Sequence, residues 1–217
     1  MMLLRFIKHF WYWGLLIGSR LLSSMVFRLR AYGRENIPKE GGFLLLSNHQ
    51  SFLDPIVCSV PLERECCFAA RDTLFTSLRG AFIASINAIP IKRGSADLAA
   101  IKKFIAKLKE GYGLVLFPEA TRTTDGRIAD IKPGFGLLSK RSNTPVIPVV
   151  IDGAYECWPK GKCFFKMGKI VIYYGKPISP EKIKELGDEK FVESLVTTMR
   201  QMQNELRLMQ GKEIYKY

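Results

Sequence analysis

The sequence predicts one α/β domain with a mostly parallel sheet covered by helices, preceded by an amphipathic helical segment over residues 1–30. The domain, residues 31–217, alternates short apolar runs with helical patterns, which is typical of parallel strands covered on both faces. No linker-like or low-complexity stretch divides it. A chain of 217 residues is long enough for one such domain with a sizeable core.

Residues 1–30 separate into a polar and an apolar side when they are projected on a helix at about 100° per residue. The polar side comprises Arg5, Lys8, His9, Ser19, Arg20, Ser23 and Arg30. The apolar side comprises Leu3, Ile7, Phe10, Trp11, Ile17, Leu21, Leu22 and Met25. Either Gly14 or Gly18 is expected to divide the segment into two helices.

This separation favours a helix that lies in the headgroup region of an anionic membrane. The expected contacts are Arg5, Lys8, Trp11, Trp13 and Arg20. Two alternatives remain open from the pattern: a helix packed on its own domain, and a transmembrane helix with a snorkelling Arg20. The second is weaker because Arg20 interrupts the apolar run before the roughly 20 residues that a span needs.

Five apolar runs in the domain are predicted strands. They are residues 42–47, 66–70, 88–93, 113–117 and 145–151. Residues 162–175 are predicted to form a hairpin that turns near Met167 and Gly168.

Helices are predicted between the strands from their capping residues and apolar periodicity. Ser95 is the expected N-cap of a helix that Gly111 ends, and Ser179-Pro180 begins a short helix that Gly187 ends. The first of these helices should bury Leu98, Ile101, Ile105 and Leu108. The last helix should pack its stripe of Phe191, Leu195, Met199, Met202, Leu206 and Met209 in the core.

The charge balance favours an anionic partner, since 33 Lys and Arg face 20 Asp and Glu and give a formal net charge of +13. Hydrophobic residues make up 47% of the chain, which excludes a disordered basic tail. The five cysteines show no CxxC spacing, which argues against a disulfide framework and a zinc site. Most should be small buried side chains in a reducing compartment.

One of the two histidines, His49, lies in the stretch LLLSNHQSFLDPIV, directly after a predicted strand. Asp54 and Pro55 look like the N-cap and first residue of a helix, so His49 belongs to a strand-to-helix loop at the edge where open α/β sheets bind ligands. The loop can fold His49 onto Asp54, which would fix its tautomer and let the other ring nitrogen act as a base. A helix cap beside an unrelated loop histidine is an equally good interpretation of these residues alone.

Other charged residues follow strands at the same edge. Glu119 and Arg122 lie in LFPEATRT, Arg93 ends a predicted strand, Arg71 directly follows another, and Lys132 lies in IKPGFG, two residues before a glycine. The guanidinium fork of Arg122 suits a phosphate, and Glu119 suits a substrate hydroxyl or an arginine. A solvated turn with a surface ion pair is the common alternative.

No G-x-S-x-G elbow or Cys–His nucleophile is evident. A base without a nucleophile indicates that the hydroxyl to be activated belongs to the substrate. The basic residues indicate that this substrate carries phosphate, and the segment 1–30 indicates a lipid.

Four blocks of this chain resemble the motifs of the glycerolipid acyltransferase superfamily, in particular the 1-acylglycerol-3-phosphate (lysophosphatidate) acyltransferases. NHQSFLD resembles N-H-x-S-x-x-D, AIPIKR resembles a block ending in a strand-terminal arginine, FPEATRT resembles F-P-E-G-T-R-S, and VIPVVI contains V-I-P-V. Order and spacing agree over about residues 30–180. The resemblance implies that residues 31–217 are an acyltransferase domain.

The resemblance also implies roles for individual residues. His49 would deprotonate the acceptor hydroxyl and Asp54 would orient it, with no acyl-enzyme, no cofactor and no metal. Arg93, Arg122 and Arg71 would bind the acceptor phosphate, Lys132 lies beside them as a further candidate for substrate binding, and Glu119 would assist. The acyl donor would be acyl-CoA or acyl-carrier protein, and the implied location is the cytoplasmic face of a membrane.

Ala120 and Thr123 depart from the third motif, which has glycine and serine there. If the motif glycine has a positive φ, the Ala120 methyl strains the turn, and this bears on the choice of acceptor. The expected acceptor is 1-acylglycerol-3-phosphate, and glycerol-3-phosphate or another lysolipid are alternatives. A non-catalytic basic protein that binds membranes or nucleic acid is the rival from another class, although no basic-aromatic nucleic-acid motif is apparent outside residues 1–30.

Overall fold

The computed structural model describes residues 2–76, 78–92 and 97–217, with the backbone alone for residues 2–6, 8, 78 and 79. The strands are β1 (Arg30–Tyr32), β2 (Phe43–Ser47), β3 (Cys66–Arg71), β4 (Ala88–Ile91), β5 (Gly113–Leu116), β6 (Val146–Asp152) and β7 (Val171–Tyr174). The helices are α1 (Met2–Phe27), α2 (Asp54–Ser59), α3 (Leu78–Ser85), α4 (Leu98–Lys109), α5 (Phe135–Ser142), α6 (Ala154–Cys157), α7 (Pro180–Leu186) and α8 (Asp188–Met209).

The strands described form one sheet in the order β1-β7-β6-β2-β5-β3-β4. The five strands from β6 to β4 are parallel, and β7 pairs antiparallel with β6 and parallel with β1. The predicted mostly parallel sheet in a single α/β domain is therefore confirmed. Because β2 lies between β5 and β6, the loops that follow these strands meet at the middle of one sheet edge.

Side-chain alternation along β2 divides the core into two layers. Leu44 and Leu46 face a cluster that includes Phe104 of α4 and Phe191 of α8, whereas Phe43 and Leu45 face a cluster with Phe27 of α1. All residues of β2 are fully buried, as expected for a central parallel strand. Cys58, Cys66, Cys67 and Cys157 are buried small side chains, as predicted, and Cys163 is exposed.

Several element predictions need correction. The hairpin over residues 162–175 is wrong, because only β7 forms there and it pairs with β6 and β1. Ser95 lies outside the described residues, and the N-cap of α4 is Asp97, whose side chain accepts a hydrogen bond from the Ala100 N–H. Ala100, Phe104 and Leu108 are the buried positions of α4, and Leu98 is exposed. Ser179 and Gly187 bound α7 as predicted.

The stripe on α8 is also predicted correctly except at its end. Phe191, Leu195, Met199, Met202 and Leu206 are buried, whereas Met209 is 62% exposed. Met209 is the last residue of the helix.

Helix α1 is continuous through Gly14 and Gly18, so the predicted break is wrong. Tyr12 and Leu16, one turn apart, are buried against the domain on either side of Gly14, and this packing supports a continuous helix. The Cys66 N–H donates to the Tyr12 hydroxyl at 3.0 Å, and burial raises the pKa of Tyr12.

The polar side of α1 turns toward the domain. His9 Nδ1 lies 2.5 Å from Glu65 Oε1, Arg20 donates to the Pro61 carbonyl at 2.9 Å, and Trp13 packs edge-on against His9. Arg20 thus forms its hydrogen bond with the domain. The sequence predicts instead a contact between Arg20 and a lipid headgroup. The expected contacts of Arg5 and Lys8 fall outside the described side chains.

The apolar side of α1 is exposed along its whole described length. Its exposed fractions range from 50% at Trp11 to 76% at Met25. The side comprises Ile7, Phe10, Trp11, Ile17, Leu21, Leu22 and Met25. Within the described part of the chain, no helix combines the length and apolar character needed to cross a bilayer.

Candidate active site

Asn48 fixes the loop between β2 and α2 to the neighbouring strand. Its side-chain amide donates to the Ile151 carbonyl at 2.9 Å, and its side-chain carbonyl accepts from the Ile151 N–H at 2.7 Å. The backbone pairing of β2 with β6 ends at Ser47 and Val149, and the Asn48 side chain continues it with these two bonds to the Ile151 backbone. The loop therefore leaves the sheet in a fixed direction, with His49 as its next residue.

His49 and Asp54 form the predicted pair, with Nδ1 and Oδ2 2.7 Å apart. Asp54 is fully buried, and the same oxygen accepts from the N–H groups of Gln50 at 2.5 Å and Ser51 at 2.7 Å. The predicted N-cap role is wrong: Leu53 is the N-cap, and Asp54 is the first residue of α2. The carboxylate organises the loop before the helix, where its bonds to Gln50 and Ser51 curl the chain around it.

The pair sets the tautomer of His49. Burial raises the pKa of Asp54, while hydrogen bonds from His49, Ser51 and Gln50 act in the opposite direction. Since Nδ1 faces a carboxylate oxygen, it is assigned the proton, and Nε2 carries the lone pair. Phe117 stacks on the imidazole with centroids 4.2 Å apart and planes at 19°, so the ring has one covered face.

The Glu119 side chain forms a hydrogen bond with the backbone of His49. Its Oε1 accepts from the His49 N–H at 2.8 Å and its Oε2 from the Ala129 N–H at 3.0 Å. Burial raises its pKa to about 7, although both backbone hydrogen bonds lower it. Both oxygens of this predicted substrate-binding residue thus accept a backbone hydrogen bond, one of them from His49 itself.

The third-motif loop makes a second bond to His49, because the Thr123 N–H donates to the His49 carbonyl at 2.7 Å. Ala120, between these contacts, has a φ of 59°. The turn therefore has the left-handed conformation that favours glycine, and the strain considered for Ala120 is present.

A cleft of about 710 Å³ opens beside His49, between the carboxyl ends of β3 and β5 and the helices α4 and α5. Arg71, at the end of β3, and Lys132, after the third-motif loop, both line it. Lys92 is a third cation there, which the sequence prediction missed. Its apolar wall comprises Ala69, Ile91, Ala100, Ile101, Phe104, Leu116, Phe135, Leu137 and Leu138.

Two predicted phosphate ligands are not part of this cleft as described. The guanidinium carbon of Arg122 lies 3.5 Å from the ring centroid of Phe52, in the His49 loop and outside the cleft lining. Arg93 lies outside the described residues. Among the residues that the structure describes, no group of three or more His, Cys, Asp or Glu side chains is placed to hold a metal ion.

Sequence reasoning missed residues that act through neighbours. Asn48 and Thr123 are in the motifs, but nothing in their residue types signals the bonds to Ile151 and His49. Phe117 ends an apolar run that predicts a strand, and nothing in that run signals that its ring stacks on the imidazole. Lys92 directly precedes Arg93 in AIPIKR, so the same strand-end pattern could have identified it.

His49, held by the buried carboxylate of Asp54, thus lies beside a cleft whose lining combines apolar side chains with the charged side chains Arg71, Lys92, Asp97 and Lys132. Residues 28–152, more than half of the chain, match the family described as Acyltransferase, and the chain belongs to this family.

Similarity to individual proteins is consistent with this assignment. A 1-acyl-sn-glycerol-3-phosphate acyltransferase of Bacillus subtilis is 27% identical over 86% of this chain and 92% of its own length. A chloroplastic 1-acyl-sn-glycerol-3-phosphate acyltransferase of Brassica napus is 29% identical over 75% of this chain, and the match covers 49% of the length of that relative. The crystal structure of the 1-acyl-sn-glycerophosphate (LPA) acyltransferase PlsC from Thermotoga maritima superposes with a TM-score of 0.75 at 27% identity, over 88% of this chain and 79% of that one.

Proposed function

We propose that this protein transfers an acyl group from an acyl thioester to the free hydroxyl of 1-acylglycerol-3-phosphate, at the cytoplasmic face of a membrane. The observation that carries the proposal is the His49–Asp54 pair, with its 2.7 Å bond, beside a cleft lined by Arg71 and Lys132. The relatives named above act on this acceptor by their names. The donor is acyl-CoA or acyl-carrier protein.

The chemistry follows from the tautomer of His49. Nε2 removes the proton of the acceptor hydroxyl as its oxygen attacks the thioester carbonyl, and Asp54 stabilises the imidazolium that forms. The tetrahedral intermediate then breaks its C–S bond, and the imidazolium returns the proton to the leaving thiolate. No residue of the protein is acylated in this scheme, and protons and charges balance.

The cleft suits the two parts of the acceptor. Arg71 and Lys132, with Lys92, offer cations for the phosphate, and the apolar wall offers a surface for an acyl chain. Arg122 lies over the Phe52 ring and outside the cleft lining, so it would have to approach the phosphate from that position. Glycerol-3-phosphate would use the cations but leave the apolar wall unfilled, so the wall favours a lysolipid.

The test is acyl transfer by the purified protein from acyl-CoA or acyl-carrier protein to lysophosphatidate in mixed micelles. We expect His49→Ala to reduce kcat by about 10²- to 10⁴-fold, the usual contribution of a general base. The second histidine provides the matched control. His9 contacts Glu65 at the opposite edge of the sheet, and His9→Ala should retain activity. Full activity in a folded His49→Ala variant would exclude the mechanism.

A further inference from the structure

The segment between α6 and β7 exposes aromatic and basic side chains together. Within residues 159–169, the aromatic–basic loop, Phe164 is 87% exposed, Met167 75% and Phe165 50%. The loop also carries four exposed lysines, which are Lys160, Lys162, Lys166 and Lys169. Large apolar side chains exposed as a group, with cations between them, are typical of a surface that meets a partner.

The loop continues the exposed apolar side of α1. The Gly168 N–H donates to the Val26 carbonyl at 3.3 Å, and the Ile170 N–H donates to the Phe27 carbonyl at 2.9 Å. The Phe165 ring packs edge-on against Phe27 with centroids 5.5 Å apart. The loop is therefore packed on the carboxyl end of α1, next to the last exposed apolar residue of that helix, Met25.

A row of aromatic rings joins the same loop to the catalytic loop. Trp158 lies between Phe165, at 5.9 Å, and Phe52, at 5.7 Å, and the Arg122 guanidinium covers the Phe52 ring. Ser51 Oγ donates to the Trp158 carbonyl at 2.8 Å. The stretch that holds His49 and Asp54 is therefore in direct contact with the base of the aromatic–basic loop.

We propose that the aromatic–basic loop is a second lipid-contacting element, which docks on an anionic membrane surface alongside the exposed side of α1. Phe164 and Met167 enter the interfacial region, and the lysines pair with lipid phosphates. Contact through both elements brings the membrane up to Phe52 and Arg122. The inference rests on the membrane-surface part of the proposed function and is independent of the acyl-transfer chemistry.

Cys163 allows a direct test in the full chain, because the other four cysteines are buried. We expect an environment-sensitive thiol dye on Cys163 to shift to the blue with phosphatidylcholine vesicles that contain phosphatidylglycerol. Much less shift is expected with phosphatidylcholine alone. The control carries the dye on α8, as Leu208→Cys in a Cys163→Ser background, and should not respond. The same response at both positions, or none at Cys163, would overturn the proposal.

Vesicle sedimentation measures the contribution to binding. Phe164→Ser/Met167→Ser should weaken partition into the anionic vesicles by at least about tenfold, since it removes two large apolar groups. Leu208→Ser/Met209→Ser removes a matched exposed pair from α8 and should bind as the unmodified chain does. Equal binding by the two double variants would refute the loop contact.

Vesicle sedimentation also tests the lysines of the loop. The control variant changes the net charge by the same amount at lysines outside the loop. Lys162→Gln/Lys166→Gln/Lys169→Gln should reduce binding more than the control Lys176→Gln/Lys184→Gln/Lys190→Gln. An equal reduction would indicate net charge alone and contradict the proposed role of the loop. Sedimentation needs no acyl donor and no turnover, so these outcomes stay interpretable if acyl transfer fails, and the His49 assay in micelles stays interpretable if loop binding fails.

Discussion

Ala120 holds a backbone conformation that costs an alanine about 1–2 kcal/mol relative to a right-handed one. Its φ is 59°, and the turn it forms connects Phe117 to the residues that bond His49. We expect Ala120→Gly to stabilise the fold by about 0.5–1 kcal/mol, the strain relieved less the entropy that glycine adds to the unfolded chain. Urea unfolding measures the difference.

The control for Ala120 is an alanine in an ordinary conformation. Ala106 is exposed within α4, and Ala106→Gly should destabilise by about 1 kcal/mol, the usual cost of glycine in a helix. A loss of stability in both variants would contradict the strain at Ala120.

Glu119 makes stability depend on pH in an unusual direction. Its pKa is raised to about 7 by burial, above the 4.5 expected of the unfolded chain. Between pH 4.5 and about pH 7, Glu119 is therefore protonated in the folded state and ionised in the unfolded state. Protonation of Glu119 stabilises the fold fully below about pH 4.5, and this stabilisation is lost as the pH rises through 7. The total change is on the order of 3 kcal/mol at about 1.4 kcal/mol per pKa unit.

The measurement is the free energy of unfolding from pH 4.5 to 8 for the unmodified chain and for Glu119→Gln. The decline over this range should be smaller in the variant than in the unmodified chain, whatever the absolute stability of the variant. Parallel curves would show that Glu119 titrates normally.

At the scale of elements, the contact between the His49 loop and β6 depends on one side chain. Asn48→Ala would leave the buried N–H and C=O of Ile151 without their side-chain partners, so we expect a loss of about 2–4 kcal/mol and reduced acyl transfer. Asn36→Ala removes a single bond, to the Tyr174 carbonyl, and should cost about 1 kcal/mol. Chemical unfolding compares the two, and equal costs would argue against the special role of Asn48.

Elements could be predicted where their signals are local. The caps of α7 and the apolar runs of β2, β5 and β6 depend on near neighbours in sequence, and each was predicted within a residue or two. The hairpin failed because Phe164 and Phe165 form an apolar run that no sheet buries. Periodicity indicates that a run avoids water, and it does not say whether a sheet or another surface covers it.

The site shows the same limit. His49 and Asp54 are five residues apart, and their pairing could be predicted because a short loop joins them. The bonds from Glu119 and Thr123 to His49 span about 70 residues, so only the fold reveals them. Residue type predicts a substrate ligand at Glu119, whereas in the structure its two carboxylate oxygens accept the backbone N–H groups of His49 and Ala129.

At the scale of the whole molecule, the net charge of +13 and the exposed side of α1 should act together on a membrane. The charges act over the Debye length, which is about 10 Å at 0.1 M salt and about 3 Å at 1 M, whereas apolar contact is insensitive to screening. We expect binding to phosphatidylglycerol-containing vesicles to fall as salt rises over this range and to leave a remainder due to apolar contact.

Salt could lower acyl transfer by weakening the attraction of the protein to the membrane or by weakening the binding of the acceptor in the cleft. Assays of acyl transfer in two kinds of lipid assembly distinguish these effects. Transfer to lysophosphatidate embedded in anionic vesicles should fall in parallel with vesicle binding, because the enzyme must first reach the surface. Transfer to the same acceptor should fall much less when it is a minor component of micelles of uncharged detergent, because their surface carries little negative charge. A parallel loss in vesicles and micelles would place the salt effect on the cations of the cleft, Arg71, Lys92 and Lys132, instead of on the membrane-facing surface.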